Sequence, residues 1–245
     1  MARHAIQKAL EIDAQLGLAY GLLAAINISY DWDFDAAVQN VQRALKLNPR
    51  NATILVTAGR LNDTLGRVDE AIDLYRQSIA LDPVSPEGHH RLGRTLYMAH
   101  RLEEAADSFQ MAQSLIPNRH AAQVNIGLVL LAQGDAPAAL VAMEQEISDG
   151  FRLYGTAVVQ HALGDAGASN AALEEMIEKW AAEGAVQVAE VYAFRGEIDL
   201  AFDWLEQAYD NRDPGLPQML LEPLLANLHD DPRWVPFLDK MGLPH

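Results

Sequence analysis

Along residues 1–213, apolar residues recur three and four positions apart in short stretches separated by polar turns, and no stretch alternates with strand period over a useful length. The pattern predicts helices at 2–12, 17–30, 34–46, 52–65, 68–80, 86–98, 102–114, 120–133, 136–148, 152–162, 166–181, 184–194, 198–210, 217–228 and 232–241, with essentially no β-structure.

Laid over itself, the pattern repeats. Pro49, Pro83 and Pro117 stand 34 residues apart, as do Gly59, Gly93 and Gly127, and Ala71, Ala105 and Ala139. Each residue type has a physical task. Glycine on a first helix and alanine on a second let two backbones approach closely, an aromatic fills the gap beside them, and the proline ends the pair. The pairs Leu92-Gly93 and Ile126-Gly127, with Ala71 and Tyr75 and then Ala105 and Phe109, resemble the Leu-Gly and Ala-x-x-x-Phe elements of the tetratricopeptide repeat (TPR) family. The resemblance implies an all-α right-handed superhelix of antiparallel helix pairs.

Extending the register, Ala24, Ala37, Val41 and Ala44 give an earlier copy ending at Pro49. Leu163-Gly164-Asp165 and Arg195-Gly196-Glu197 mark two later turns. The domain expectation is a half repeat at 1–13, six helix pairs over 14–213 and a capping segment at 214–245. In that cap, Asp231-Pro232 starts a helix whose Trp234, Phe237 and Leu238 form an apolar stripe suited to closing the last pair. The first helix has no preceding partner, so Ile6 and Leu10 are expected to be exposed and to promote self-association. The YDWDFDAA turn, AFRGEIDLAFDWLEQAYDNRDPGL and the closing DDPRWVPFLDKMGLP resemble the C-terminal TPR arrays of bacterial winged-helix regulators and class III adenylate cyclases. That likeness implies a sensing or partner-binding array within a larger signalling or regulatory protein, the alternative being a spacer or regulatory domain of an upstream enzyme.

Composition narrows the function classes. Half the residues are apolar and mean hydropathy is close to neutral, so there is material for a core and no case for disorder. The chain has no cysteine, which excludes disulfides, thiol catalysis and cysteine-ligated metal sites. No apolar stretch is long enough to span a bilayer and no export signal is visible, so a cytoplasmic location is expected. The net charge of −16 is uneven. Residues 1–120 hold 12 Lys+Arg against 14 Asp+Glu, and residues 121–245 hold 6 against 20, giving −2 and −14. So acidic a second half repels phosphate backbones, and nucleic acid is not an expected partner.

Catalytic and cofactor motifs were sought and none is complete. Asp31-Trp32-Asp33-Phe34-Asp35 begins like a calcium loop, but Ala36 takes the glycine position and Gln42 the bidentate glutamate position, so Asp33 reads as a helix cap with Trp32 and Phe34 packed in the turn. His89 and His90 are adjacent on a helix and point about 100° apart, a poor metal pair. No cofactor, metal or turnover is expected.

By resemblance to TPR arrays, the first helix of each pair lines the concave groove. Positions flanking each small packing residue then project into it: Val56 and Arg60, His90 and Arg94, Val124 and Leu128, Tyr154 and Val158, Val186 and Glu190. The expected peptide site is Arg60, His90, Arg91, Arg94, Tyr97 and Asn125, continued by apolar Leu128, Tyr154 and Val158. Two guanidinium groups one repeat apart suit an acidic or C-terminal carboxylate-bearing peptide. Of the lysine and asparagine set with which some TPR domains grip a chaperone's C-terminal carboxylate, only Asn125 has a match.

Overall fold

The computed structural model describes residues 2–245. Its helices are α1 (Ala2–Ile12), α2 (Gly17–Ile26) prolonged by a π turn (Asn27–Asp31), α3 (Phe34–Leu47), α4 (Ala52–Thr64), α5 (Val68–Leu81), α6 (Pro86–Met98), α7 (Leu102–Leu115), α8 (Ala122–Ala132), α9 (Ala136–Glu144), α10 (Asp149–Ala162), α11 (Ala166–Trp180), α12 (Ala185–Phe194) and α13 (Ile198–Asp210). Two 3-10 turns, Leu216–Leu221 and Pro223–Leu228, and a last helix α14 (Trp234–Met241) complete the chain. Among the described residues no strand occurs.

Many helix starts are fixed by local chemistry. Asp33, Asn51, Ser85, Asp135 and Asp165 each accept the backbone N–H three residues on, at 2.9–3.2 Å, so the first orphan donors are satisfied. Helix α8 has no such residue. Ala121 before it lies in the left-handed region (φ 62°), and Glu146 from the turn after α9 accepts N–H bonds from Ala121, Gln123 and Val124. Glu146 can do this because α9 stops at Glu144 rather than running to 148.

Helices pair as α2/α3, α4/α5, α6/α7, α8/α9, α10/α11 and α12/α13, and successive pairs stack. The 34-residue signature is the packing device within each pair. A Cβ built on Gly59 would lie 2.6 Å from the Tyr75 ring, and one on Gly93 would lie 2.8 Å from Phe109, so the glycine is the hole and the aromatic the knob. Tyr75 is fully enclosed and its hydroxyl donates to Asp63 Oδ2 at 2.6 Å, which fixes the ring.

The C-terminal segment does more than cap the last pair. Trp234, Phe237 and Leu238 do pack with Phe202, Leu205 and Ala208 of α13, but the same cluster contains Trp32 and Phe34 from the start of the array. The Trp32 ring lies 5.4 Å from that of Tyr209, with the Arg212 guanidinium 4.4 Å above Trp32. Trp32 and Phe34 therefore join the beginning of the superhelix to its end rather than only filling their own turn.

Between α13 and α14 the expected helix 217–228 is absent. Pro223 lacks an N–H and forces the residue before it out of helical geometry, so Glu222 is extended (φ −71°, ψ 115°) between two 3-10 turns. The first turn packs on α4 and the second on α12, forming a strap across the concave face. Leu216, Met219, Leu225 and Leu228 of the strap are buried to within 1% of completely. At roughly 1.5–3 kcal/mol per side chain, those four contribute on the order of 6–12 kcal/mol of gross apolar stabilisation.

At the N-terminal edge, Ile6 and Leu10 are half-buried rather than exposed, because α1 lies against α2. Ile12, Leu16, Leu18 and Leu22 are exposed there. Among the described residues no helix is long and apolar enough to cross a membrane.

Gly59→Ala should destabilise the fold by about 1–3 kcal/mol, since the added methyl overlaps a ring that cannot move. Gly167→Ala, whose nearest neighbour would be Asp165 Oδ1 at 3.5 Å, should instead stabilise by up to about 1 kcal/mol. Urea unfolding of the two variants checks the contrast.

Candidate functional site

What the strap leaves open is a cavity of about 190 Å³ in the middle of the concave face. Its floor is the first helices: His90, Arg91, Arg94 and Tyr97 from α6, Ala121, Val124, Asn125 and Leu128 at the start and along α8, Phe151 and Tyr154 from α10, and Gln187 and Glu190 from α12. Gln218 and Glu222 of the strap close it.

One wall is basic. Arg91 Nε donates to Glu87 Oε1 at 2.7 Å and its Nη1 to Gln218 Oε1 at 3.2 Å, while Arg119 reaches Glu87 Oε2 at 2.8 Å. Against the upward push of burial, these two guanidinium groups hold the Glu87 carboxyl down to about 2. His90 is buried beside Phe109, with ring centres 5.7 Å apart. Burial, reinforced by Arg119, Arg91 and Arg94, lowers its imidazole to about 3, so His90 is neutral at physiological pH and adds no charge.

The opposite wall is acidic. Glu222 Oε2 accepts from Arg94 Nη2 at 3.3 Å, and Glu222 Oε1 is enclosed without a hydrogen-bond partner. Glu190 Oε2 accepts from the Tyr154 hydroxyl at 2.6 Å. Burial, then the Glu222 charge, pushes the Glu190 carboxyl well above the ordinary carboxylate range, with Tyr154 and Arg94 pulling back. Glu222 is raised by burial too, with Arg94 and then the Leu224 N–H opposing.

Seven of the nine expected site residues share this cavity: His90, Arg91, Arg94, Tyr97, Asn125, Leu128 and Tyr154. Two do not. Val158 has no exposed surface and belongs to the core, one helical turn below Tyr154. Arg60 donates to Ser29 Oγ at 2.7 Å and lines a separate crevice of about 10 Å³ with Asp63, Arg91 and Gln218. The pair of free, stacked guanidinium groups expected from the sequence is therefore not present: Arg60 and Arg94 face different spaces, and Arg94 is engaged by the chain's own Glu222. Glu222 and Gln218 were missed as site residues because the strap reads as a helix unless Pro223 is given its full weight.

Set beside known proteins, residues 33–86 and 90–150 match the family model "Tetratricopeptide repeat". The fold is an all-α tetratricopeptide-repeat solenoid. A small glutamine-rich tetratricopeptide repeat-containing protein 2 of Mycosarcoma maydis is 28% identical over 86 residues, covering 35% of this chain and 24% of that one. The crystal structure of a tetratricopeptide repeat protein from Parabacteroides merdae superposes with a TM-score of 0.68 over 92% of this chain and 90% of its own, at 16% identity. The structure of YrrB, described as "a TPR protein with an unusual peptide-binding site", gives a TM-score of 0.52 at 21% identity, covering 71% of this solenoid and 91% of YrrB. The aligned part of the solenoid spans about a quarter or less of the length of the curated relatives it matches.

Asp63 sits at the edge of the site, accepting from Tyr75 at 2.6 Å and Thr95 at 2.8 Å, yet burial outweighs both bonds and raises its carboxyl to about 6. The folded state thus holds this proton more tightly than the unfolded chain does, and the group's contribution to stability is lost as pH rises from about 4 to 6. The amount is about 3 kcal/mol from the size of the shift. Asp63→Asn should flatten the stability profile in that window without removing the same-sign contributions of Glu190 and Glu222. Urea midpoints measured at half-unit intervals from pH 4 to 7 check it.

Proposed function

We propose that the solenoid is a protein-interaction scaffold that receives a projecting group of its partner in the concave cavity between α6, α8, α10 and α12. The observation that carries this reading is the cavity itself: polar side chains from four successive first helices converge on one space that the strap closes only in part. The fold supports the same reading, since TPR structures include one described as having a peptide-binding site. The strap sets the mode of binding. A peptide of micromolar affinity gains about 8 kcal/mol in total. That is comparable to what the strap's four buried side chains contribute, so a ligand lying along the whole groove is disfavoured and a short inserted group is favoured.

The reading extends to context. Likeness of the YDWDFDAA and C-terminal motifs to regulator and cyclase arrays supports a place within a larger signalling or regulatory protein. The reading assigns binding and no turnover. A structural spacer is the second reading, favoured by the internal pairing of Arg60, Arg91 and Arg94.

A photo-crosslinking residue at Asn125, inside the cavity, should capture a partner that the same residue at exposed Met111 on α7 does not. Gln187→Arg, which projects a larger side chain into the cavity, should reduce that capture at least tenfold. Capture at Met111 alone, or at Asn125 undiminished by Gln187→Arg, overturns the assignment, and no capture at either position favours the spacer.

A further inference from the structure

We infer that the cavity binds a primary ammonium group, held between the carboxylates of Glu190 and Glu222. The inference rests on the reading above only for the place of binding, and it reverses the acidic partner that the arginines suggest on sequence alone.

The argument is one of charge compensation in an enclosed space. Glu190 and Glu222 are each 6% exposed as residues and line the cavity. The charged groups around Glu190 are Glu222 on the strap, Asp213 at the end of α13, and Arg94 on α6, with the Tyr97 and Tyr154 hydroxyls beside them. Asp213 is satisfied by the backbone, accepting from Gly215 N at 2.8 Å and Val186 N at 3.3 Å. Arg94 makes its 3.3 Å bond to Glu222. Arg91 lies at the far wall, tied with Arg119 to Glu87. One guanidinium thus serves two buried carboxyl groups.

A buried carboxylate without its own counter-charge is costly, so it takes up either a proton or a cation. Burial, then the Glu222 charge, pushes Glu190 toward holding a proton, and a bound cation would take that proton's place. Glu222 Oε1 supplies a second observation: it is enclosed without a hydrogen bond of full geometry, the Leu224 N–H being the one backbone donor that acts on this carboxyl. An ammonium group offers three donors from one compact charge, enough for Glu190 and Glu222 with one left for a neutral acceptor such as Asn125 or Gln187. The rings of Tyr97, Tyr154 and Phe151 also line the cavity, and aromatic faces favour a cation. On binding, whatever proton Glu190 holds leaves to solvent and the carboxylate pairs with the ammonium; no covalent bond forms.

The chemistry is shared by a free small amine and by a lysine side chain on a partner. The test is calorimetric titration of the purified chain with n-butylammonium chloride, sodium butyrate, the peptide acetyl-Gly-Lys-Gly-amide and its Nε-acetylated form, at pH 6, 7 and 8 in two buffers of different ionisation heat. One n-butylammonium per chain should bind, with an affinity that rises with pH and with release of protons to the buffer. Glu190→Gln should weaken it at least tenfold and abolish proton release. Tyr154→Phe removes the hydrogen bond that stabilises the Glu190 carboxylate and should move the pH dependence upward, a shift that general loosening of the fold would not give. Tighter binding of the lysine peptide, lost on acetylation, identifies a partner's side chain as the source; binding of n-butylammonium without the peptide identifies a small amine. No saturable amine binding, binding indifferent to pH, or butyrate binding that disappears in Arg94→Ala overturns the inference, whereas a crosslinking failure at Asn125 would remove the scaffold reading and leave this titration standing.

Discussion

The burial of the strap against α4 and α12 is the interaction on which the rest of the concave face depends. A solenoid of stacked helix pairs is held by nearest-neighbour contacts and is ordinarily open along its groove. Here Leu216, Met219, Leu225 and Leu228 of the strap are buried in one cluster with α12, α13 and α14, and Trp32 and Phe34 join the first full pair to the last. Contacts far apart in sequence are added to the local ones, and the groove becomes a bounded cavity. Pro223 makes the arrangement possible by breaking the strap into two turns, which leaves Glu222 at their junction opposite Arg94.

Closing the groove changes its electrostatics. An arginine on an open groove is a solvated charge available to any acidic ligand, worth little to stability. Under the strap, Arg94 is committed to Glu222, and Glu190 beside it has no guanidinium of its own. His90 is driven neutral and Glu190 is driven toward protonation by the same loss of solvent. The acidic wall is thus a consequence of that packing, and it is the ground for proposing a cationic group at the α12 side rather than the carboxylate that the bare sequence of α6 suggests.

The repeats were legible in the sequence because their packing is local: Gly59 meets Tyr75 sixteen positions on, and the register of prolines, glycines and alanines states each contact three times. Seven residues of the cavity floor were legible for the same reason, since position on a first helix predicts direction. Val158 failed because the cavity ends at Tyr154, a limit set by neighbouring pairs rather than by helix geometry. The strap was not legible as a lining element. Its apolar residues suit a capping helix equally well, and which surface they cover depends on how far the superhelix turns over six pairs, a quantity no short stretch of sequence encodes. Pro217 and Pro223 were the available signal, six residues apart in what would have been one helix.

The claim that the strap is an integral part of the core is tested most directly by hydrogen exchange of its backbone amides in the unmodified chain. Glu222 N bonds to Met219 O and Leu225 N to Glu222 O, both at 3.0–3.1 Å beneath buried side chains. If the strap is core, these amides exchange only through the opening that also exposes α4 and α12, with protection comparable to theirs. Exchange of the strap amides within seconds, while the helices around them stay protected, would show a detachable segment and contradict the account.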